Sequence, residues 1–264
     1  IMTVGSEHDD PAGPGEFRGK IALVVGASKG IGADTARAFA RRGATVILSS
    51  RDVARLEEVA RGIRETAHDA LALPVDLTDE GAVIALGREV RAGYGRLDFA
   101  FNNAGEGYPP TDLAEVPTSA FDLVFQVTVR GTFLAVKQEI PLMVESGGGS
   151  IDNMSSTAGL SAFRGGGPYV AAKHAILGLS KAAALDYAQR HVRVNAVAPG
   201  PIETRRMQNL PEAYKEQARQ AVPMRRLGTG SEVADVVLWL CSEASGFVTG
   251  ATVPVDGGRM AGWS

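Results

Sequence analysis

From Lys20 onward, short runs of β-branched and aliphatic residues alternate with longer stretches that repeat at a helical period. The strand candidates are Ile21–Val25, Thr45–Leu48, Ala70–Val75, Leu97–Phe101, Ser150–Met154, Arg193–Ala198 and Thr252–Val255. Helical patterning lies between them at Gly32–Arg42, Val53–Ala67, Glu80–Ala92 and Ser231–Ser242. Gly43 stands where a helix-terminating glycine belongs, and Ala36, Phe39 and Ala40 form one apolar stripe. Strands and helices of these lengths predict βαβ units, hence a mostly parallel sheet of about seven strands with helices on both faces. No linker or internal repeat interrupts the pattern, so one doubly wound α/β domain is expected over residues 17–264.

Two longer helices fall late in the chain. One starts near Ser119, where Ser119-Ala-Phe-Asp122 has the form of a capping box, and runs toward Val144. The other runs from Pro168 to about Arg190. The charged stretch 203–226, broken by Pro211 and Pro223, reads as a substrate lid.

Composition removes several classes of function. The chain has 264 residues, 45% of them hydrophobic, and a net charge of −3, enough apolar chain for a core but no basic cluster for nucleic acid. One cysteine excludes an internal disulfide framework, and the histidines do not cluster with carboxylates at metal-ligand spacing. No uncharged apolar run reaches the roughly 18 residues of a membrane span. A cytoplasmic protein is expected. Residues 1–16 mix Gly, Pro and acids without a secretory apolar segment and read as a mobile lead-in.

The first strand runs into Gly26-Ala-Ser-Lys-Gly30-Ile-Gly32, which opens a helix. Glycines allow a tight turn and close backbone approach to a pyrophosphate, and the free amides of the helix start attract the anion. Strand before and helix after supply the context that a glycine-rich loop needs to count as a nucleotide site. Tyr169 and Lys173 are four apart on a predicted helix, so they share a face. A neighbouring ammonium stabilises phenolate and brings a tyrosine closer to useful acid–base chemistry.

The Gly-x3-Gly-x-Gly spacing and the Tyr169-Val-Ala-Ala-Lys173 segment resemble the short-chain dehydrogenase/reductase family, whose members have a Rossmann fold. Further landmarks follow in family order: Asn102-Asn-Ala-Gly105, Ser155-Ser156, Asn195-Ala-Val-Ala-Pro199-Gly200 and Asp256-Gly-Gly258. The resemblance implies that Tyr169 is the general acid/base and that Lys173 also holds the nicotinamide ribose. Ser156, thirteen residues before Tyr169, would hydrogen-bond the reacting oxygen; Ser155 is its competitor. The same resemblance assigns Gly26, Ser28, Lys29, Gly30, Ile31 and Gly32 to the cofactor cradle. Asp76 and Leu77 would contact adenine, and Asn103, Ala104 and Gly105 would line the cofactor. Pro199, Gly200, Ile202 and Thr204 would cover the nicotinamide. Homodimers or homotetramers are implied as well.

An acidic residue after the second strand grips the ribose 2′-hydroxyl in NAD enzymes, whereas a nearby cation accepts the 2′-phosphate of NADP. Here that strand ends in Ser49-Ser50-Arg51, and Lys29 adds a second cation, so NADP(H) is the expected cofactor. Two solvated surface cations are the plainer reading of the same residues.

Three residues depart from the family pattern. Val25 replaces threonine, and Thr128 replaces the asparagine that holds the long helix open around a proton-relaying water, which puts that relay in doubt. Asp152 interrupts an apolar strand; if buried, it has to be hydrogen-bonded or carry a raised pKa. His174 points about 100° away from Lys173 on the helix and is expected to pack elsewhere. Cys241 reads as a small buried hydrophobe. Residues 105–110, 162–167 and 203–226 would form the substrate walls, with Arg164, Arg205 and Arg206 as candidates to meet an anion, although solvated charges are the plainer reading of arginines on such loops. The resulting expectation is reversible NADPH-dependent reduction of a small ketone or aldehyde. An NAD-linked alcohol dehydrogenase and a low-turnover NADP(H)-binding sensor or scaffold are the alternatives, the latter favoured by Thr128 and Asp152.

Overall fold

A computed structural model describes residues 15–262, so the lead-in lies outside the described residues except for Gly15 and Glu16. Seven strands form one parallel sheet: β1 Ile21–Val25, β2 Thr45–Ser49, β3 Ala70–Ala72, β4 Phe99–Asn102, β5 Gly149–Met154, β6 Val192–Pro199 and β7 Thr252–Val255. Their spatial order is β3-β2-β1-β4-β5-β6-β7. The order reverses between β1 and β4, and ligands of open α/β sheets bind at the carboxyl ends of the strands at such a reversal.

The pleat sorts β1 onto both faces. Ala22 and Val24 pack under α1 Gly30–Arg41, α2 Val53–Arg64 and α9 Gly230–Cys241, whereas Ile21, Leu23 and Val25 pack toward α3 Glu80–Tyr94, α5 Gly131–Glu145 and α6 Gly167–Tyr187. Sheets buried on both sides need such continuous apolar strands. Phe17, Phe39 and Phe99 meet within the first layer, with ring centroids 4.7–5.8 Å apart.

Local chemistry explains where the boundaries differ from expectation. β3 stops as a regular ladder at Ala72 because Pro74 has no N–H, yet Leu73 and Val75 still donate to β2 and its following residue. The Ser119 capping box does not form. Pro117 takes the N-cap position of α4 Thr118–Phe125, and Ser119 lies inside the first turn. The helix from Thr118 to Glu145 is also not uniform: Gln126–Arg130 forms a π-helical turn with Thr128 at its centre. By length and mean hydropathy this run could cross a membrane, but Leu134, Ile140 and Met143 pack on the sheet.

Residues 203–226 contain α7 Arg205–Gln208 and α8 Glu212–Gln220, and α8 buries no side chain. Both ends of the excursion meet at a neck: Glu203 N–H donates to the Gly228 carbonyl at 2.7 Å, and Gly228 N–H donates to that of Pro201 at 3.0 Å. A second unexpected feature is polar and internal. Asn102 donates to Glu139 at 2.9 Å and to Asn153 at 3.0 Å, and Asn153 donates to Ser180 at 3.0 Å. Burial pushes the Glu139 carboxyl up to about 7.

Candidate active site

The tips of β1 and β4 lock together through a contact that only glycine permits. Asn103 Nδ2 donates to the Gly26 carbonyl at 2.8 Å. A Cβ on Gly32 would lie 2.3 Å from the Gly26 oxygen and 2.6 Å from Asn103 Nδ2. Gly26 itself has φ +86°, and its added Cβ would meet the Ala104 nitrogen at 2.7 Å. The turn therefore brings backbone close to whatever lies above it. Lys29, the N-cap of α1, is extended and supplies no side-chain cap, and no acid occupies the first turn. The leading amides and the positive end of the helix thus face the cavity.

That cavity has a volume of about 740 Å³. Gly26, Ser28, Lys29, Gly30 and Ile31 line one side, and Arg51, Asp76 and Leu77 line another. Asn103, Ala104, Gly105 and Thr204 complete the expected set. Gly32 lies beneath the floor, where its missing side chain matters. A second cavity, of about 270 Å³, contains Ser156, Tyr169, Lys173, Pro199, Gly200 and Ile202. Ile31, Asn103, Gly105, Glu106 and Thr204 belong to both, which makes them one continuous trough. Its extent and the backbone donors of the turn fit a dinucleotide. The buried Ser50 hydroxyl also lines the first cavity, without a partner among the described residues.

In the second cavity, α6 presents Tyr169 and Lys173 one turn apart, with Lys173 Nζ 5.7 Å from the Tyr169 ring centroid. The ammonium is buried and donates to the Met154 carbonyl at 2.8 Å. Burial, which penalises its charge, brings Lys173 down to about 8. The two serines separate by environment. Ser155 is 2% exposed and donates to the Lys173 carbonyl at 2.9 Å, pinning α6 to the end of β5. Ser156 is half-buried at the cavity, where its Oγ accepts from Ala158 N–H at 3.1 Å.

Thr128 lines neither cavity. It is fully buried, and its Oγ1 accepts from Glu106 N–H at 3.0 Å, so the hydroxyl holds the loop after β4. Gly105 separates it from Lys173: a Cβ there would be 3.4 Å from Lys173 Nζ and 3.6 Å from Thr128 Oγ1. The helix is opened by its π turn even though threonine stands in place of asparagine.

Sequence reasoning missed Arg55, which lines the first cavity from the first turn of α2. Its position four residues after Arg51 was the available signal. Glu106, expected in a substrate wall, instead reaches toward Arg51, with Oε2 3.5 Å from Nη2. His174 is exposed and contacts the Val170 carbonyl through Nδ1 at 2.9 Å, away from the trough. Arg164 faces solvent beside Asp112, at 3.6 Å, and Arg205 lines the first cavity. The Arg206 side chain lies outside the described residues. Asp152 is fully buried and accepts from the Cys241 thiol at 3.3 Å; burial pushes its carboxyl up to about 7.

A family model described as enoyl-(acyl carrier protein) reductase matches residues 26–259. The A-factor type γ-butyrolactone 1′-reductase (1S-forming) of Streptomyces virginiae is 42% identical over 90% of this chain and 95% of its own length. The cis-4-hydroxycyclohexanecarboxylate dehydrogenase of Sinomonas cyclohexanicum is 39% identical, covering 93% and 98%. Among solved structures, a candidate short-chain alcohol dehydrogenase from Sinorhizobium meliloti superposes with a TM-score of 0.87 at 33% identity, over 93% of this chain and 98% of that one. A parallel sheet that reverses at a glycine-locked cradle, with a tyrosine and a buried lysine beside it, thus occurs in a chain matched almost throughout by these proteins: it belongs to the short-chain dehydrogenase/reductase family, oxidoreductases that act on alcohol and carbonyl groups with a nicotinamide nucleotide.

Proposed function

We propose that this chain is an NADP(H)-dependent carbonyl reductase, reversible as an alcohol dehydrogenase, acting on a ketone or aldehyde of moderate size. The observation that carries the reading is the single trough joining the glycine-locked cradle to Tyr169 and the buried Lys173. The dihydronicotinamide, when bound, supplies the hydride. Tyr169 gives its hydroxyl proton to the carbonyl oxygen in reduction and takes it back in oxidation. Ser156 hydrogen-bonds the same oxygen. The Lys173 charge, desolvated by α6 and β5, favours the phenolate that remains after transfer. Ser155 and the Met154 carbonyl keep that charge in place.

Lys29, Arg51 and Arg55 around the first cavity, with serines in place of an acid at the end of β2, favour the 2′-phosphate. Asp52 does not act as the acid that grips a ribose. It caps α2 by accepting from Arg55 N–H at 3.2 Å and pairs with the Arg55 guanidinium. Phe163, exposed with its ring centroid 6.5 Å from that of Tyr169, offers an apolar substrate wall, and Arg164 is already paired with Asp112. The relatives named for a lactone and a cyclohexane ring are in keeping with a compact ketone. We place the enzyme in the cytoplasm as a homodimer or homotetramer.

Titration of NADPH and NADH by nicotinamide fluorescence tests the cofactor assignment. A preference for NADPH of at least about tenfold, or about 1.4 kcal/mol, is expected; equal binding overturns it. Tyr169→Phe should abolish carbonyl reduction and leave cofactor affinity intact, and normal turnover in that variant would sink the mechanism. An NAD-linked alcohol dehydrogenase is the second reading, favoured by Glu106, an acid that faces the same cavity.

A further inference from the structure

Glu106 follows the Asn102–Gly105 turn and lines both halves of the trough. Its backbone is held by the Thr128 hydroxyl, and its Oε1 accepts from Gly107 N–H at 3.3 Å. The other oxygen is 3.5 Å from Arg51. These two residues extend from the ends of β4 and β2, which are separated by β1 in the sheet. The contact therefore joins loops from either side of β1, the strand that runs into the glycine-rich turn.

The remaining acids of this cavity are engaged locally. Asp52 caps and pairs within α2, and Asp76 Oδ1 accepts from the Thr78 amide and hydroxyl, each at 2.9 Å. Of the acids lining the cavity, Glu106 is the one whose ion pair crosses it.

We propose that Glu106 is a cofactor-selectivity residue: it serves as the resident counter-ion of Arg51, which the 2′-phosphate of NADP(H) must displace. The inference rests on the NADP(H) reading above. A phosphate monoester carries about −1.5 to −2 charge and presents several acceptor oxygens to a guanidinium, so it wins the exchange against one carboxylate contact at 3.5 Å. NADH has no group at that position to offer Arg51, and the pair stays closed beside it. After exchange, the Glu106 charge faces the phosphate and weakens the complex that Arg51 strengthens.

The pair is largely exposed, with Arg51 at 56% and Glu106 at 35%, so the effect is a matter of severalfold. Glu106→Gln preserves size and the contact to Gly107 while removing the charge. Dissociation constants of NADPH and NADH are measured for the parent, Glu106→Gln, Arg51→Gln and the double variant at low ionic strength. Glu106→Gln should tighten NADPH by about threefold to tenfold and leave NADH within about twofold. In the Arg51→Gln background the same change should move NADPH much less. Unchanged or weaker NADPH binding in Glu106→Gln overturns the proposal, as does an equal shift for both cofactors or a full effect without Arg51. The parent's own preference judges the NADP(H) reading separately: a parent that favours NADH refutes that reading, whereas a parent that favours NADPH with an inert Glu106 refutes only this one.

Discussion

Replacing Asp152 with valine should change how stability depends on pH. The carboxyl is buried between β5 and α9 and is pushed from 3.8 to about 7, chiefly by burial, against the pull of the Cys241 thiol and the Arg193 charge. The folded state therefore holds this proton more tightly than the unfolded chain does. Between pH 4 and pH 7 the native protein binds more protons than the unfolded one, so stability falls as pH rises and levels off above the folded value. A shift of about 3 units at about 1.4 kcal/mol each corresponds to about 4 kcal/mol lost across that window. Valine removes the titrating group and the unpartnered Oδ1, and its cost is the lost acceptor of the Cys241 thiol and the refitting of a β-branched side chain in a packed site, about 1–3 kcal/mol. Urea unfolding at pH 4.5, 6 and 8 reads the result. The variant should equal or trail the parent at pH 4.5 and exceed it at pH 8, because its slope has lost about one proton's worth, about 1.4 kcal/mol per pH unit. Glu139, also raised to about 7, leaves a residual slope of the same sign in both proteins. Parallel slopes for parent and variant would show that Asp152 titrates normally and refute the reasoning.

Gly32→Ala should abolish nucleotide binding and lower stability by about 1–3 kcal/mol, because the new methyl meets the Gly26 carbonyl at 2.3 Å; fluorescence titration and thermal melting check it, and normal NADPH affinity would contradict it. Ser156→Ala should reduce kcat by about tenfold or more with cofactor affinity unchanged. Ser155→Ala should instead lower stability by about 1–3 kcal/mol, since the Lys173 carbonyl loses a buried donor; the reverse pattern of kinetics and melting would exchange the two roles. Thr128→Asn should turn over at the same rate or faster, and a large fall in kcat would show that threonine is adapted to its contact with Glu106.

The parts of the fold legible in the sequence are those in which one local requirement has one solution. The β1 turn demanded residues without a side chain, and their spacing revealed both the cradle and the helix that follows. The helical pair Tyr169 and Lys173 was readable because four residues make one turn. The π turn at Gln126–Arg130 was hidden, since its altered bonding leaves no side-chain period of its own. Ser119-Ala-Phe-Asp122 misled because its residue types suit a cap, whereas Pro117 starts the helix earlier. Arg51 with Glu106, and Asp152 with Cys241, were invisible for another reason: each pair is assembled from elements more than 50 residues apart.

The neck at Ile202 and Gly228 separates two kinds of evolutionary freedom. Because the excursion leaves and returns through adjacent, bonded backbone, its length and sequence can drift without disturbing strand register. Doubling such a loop costs only about 0.6 kcal/mol in closure entropy. The first residues past the neck, Thr204, Arg205 and Asn209, line the cavity, whereas α8 buries no side chain, so the stretch from Pro211 to Gln220 is the part of the excursion freest to change.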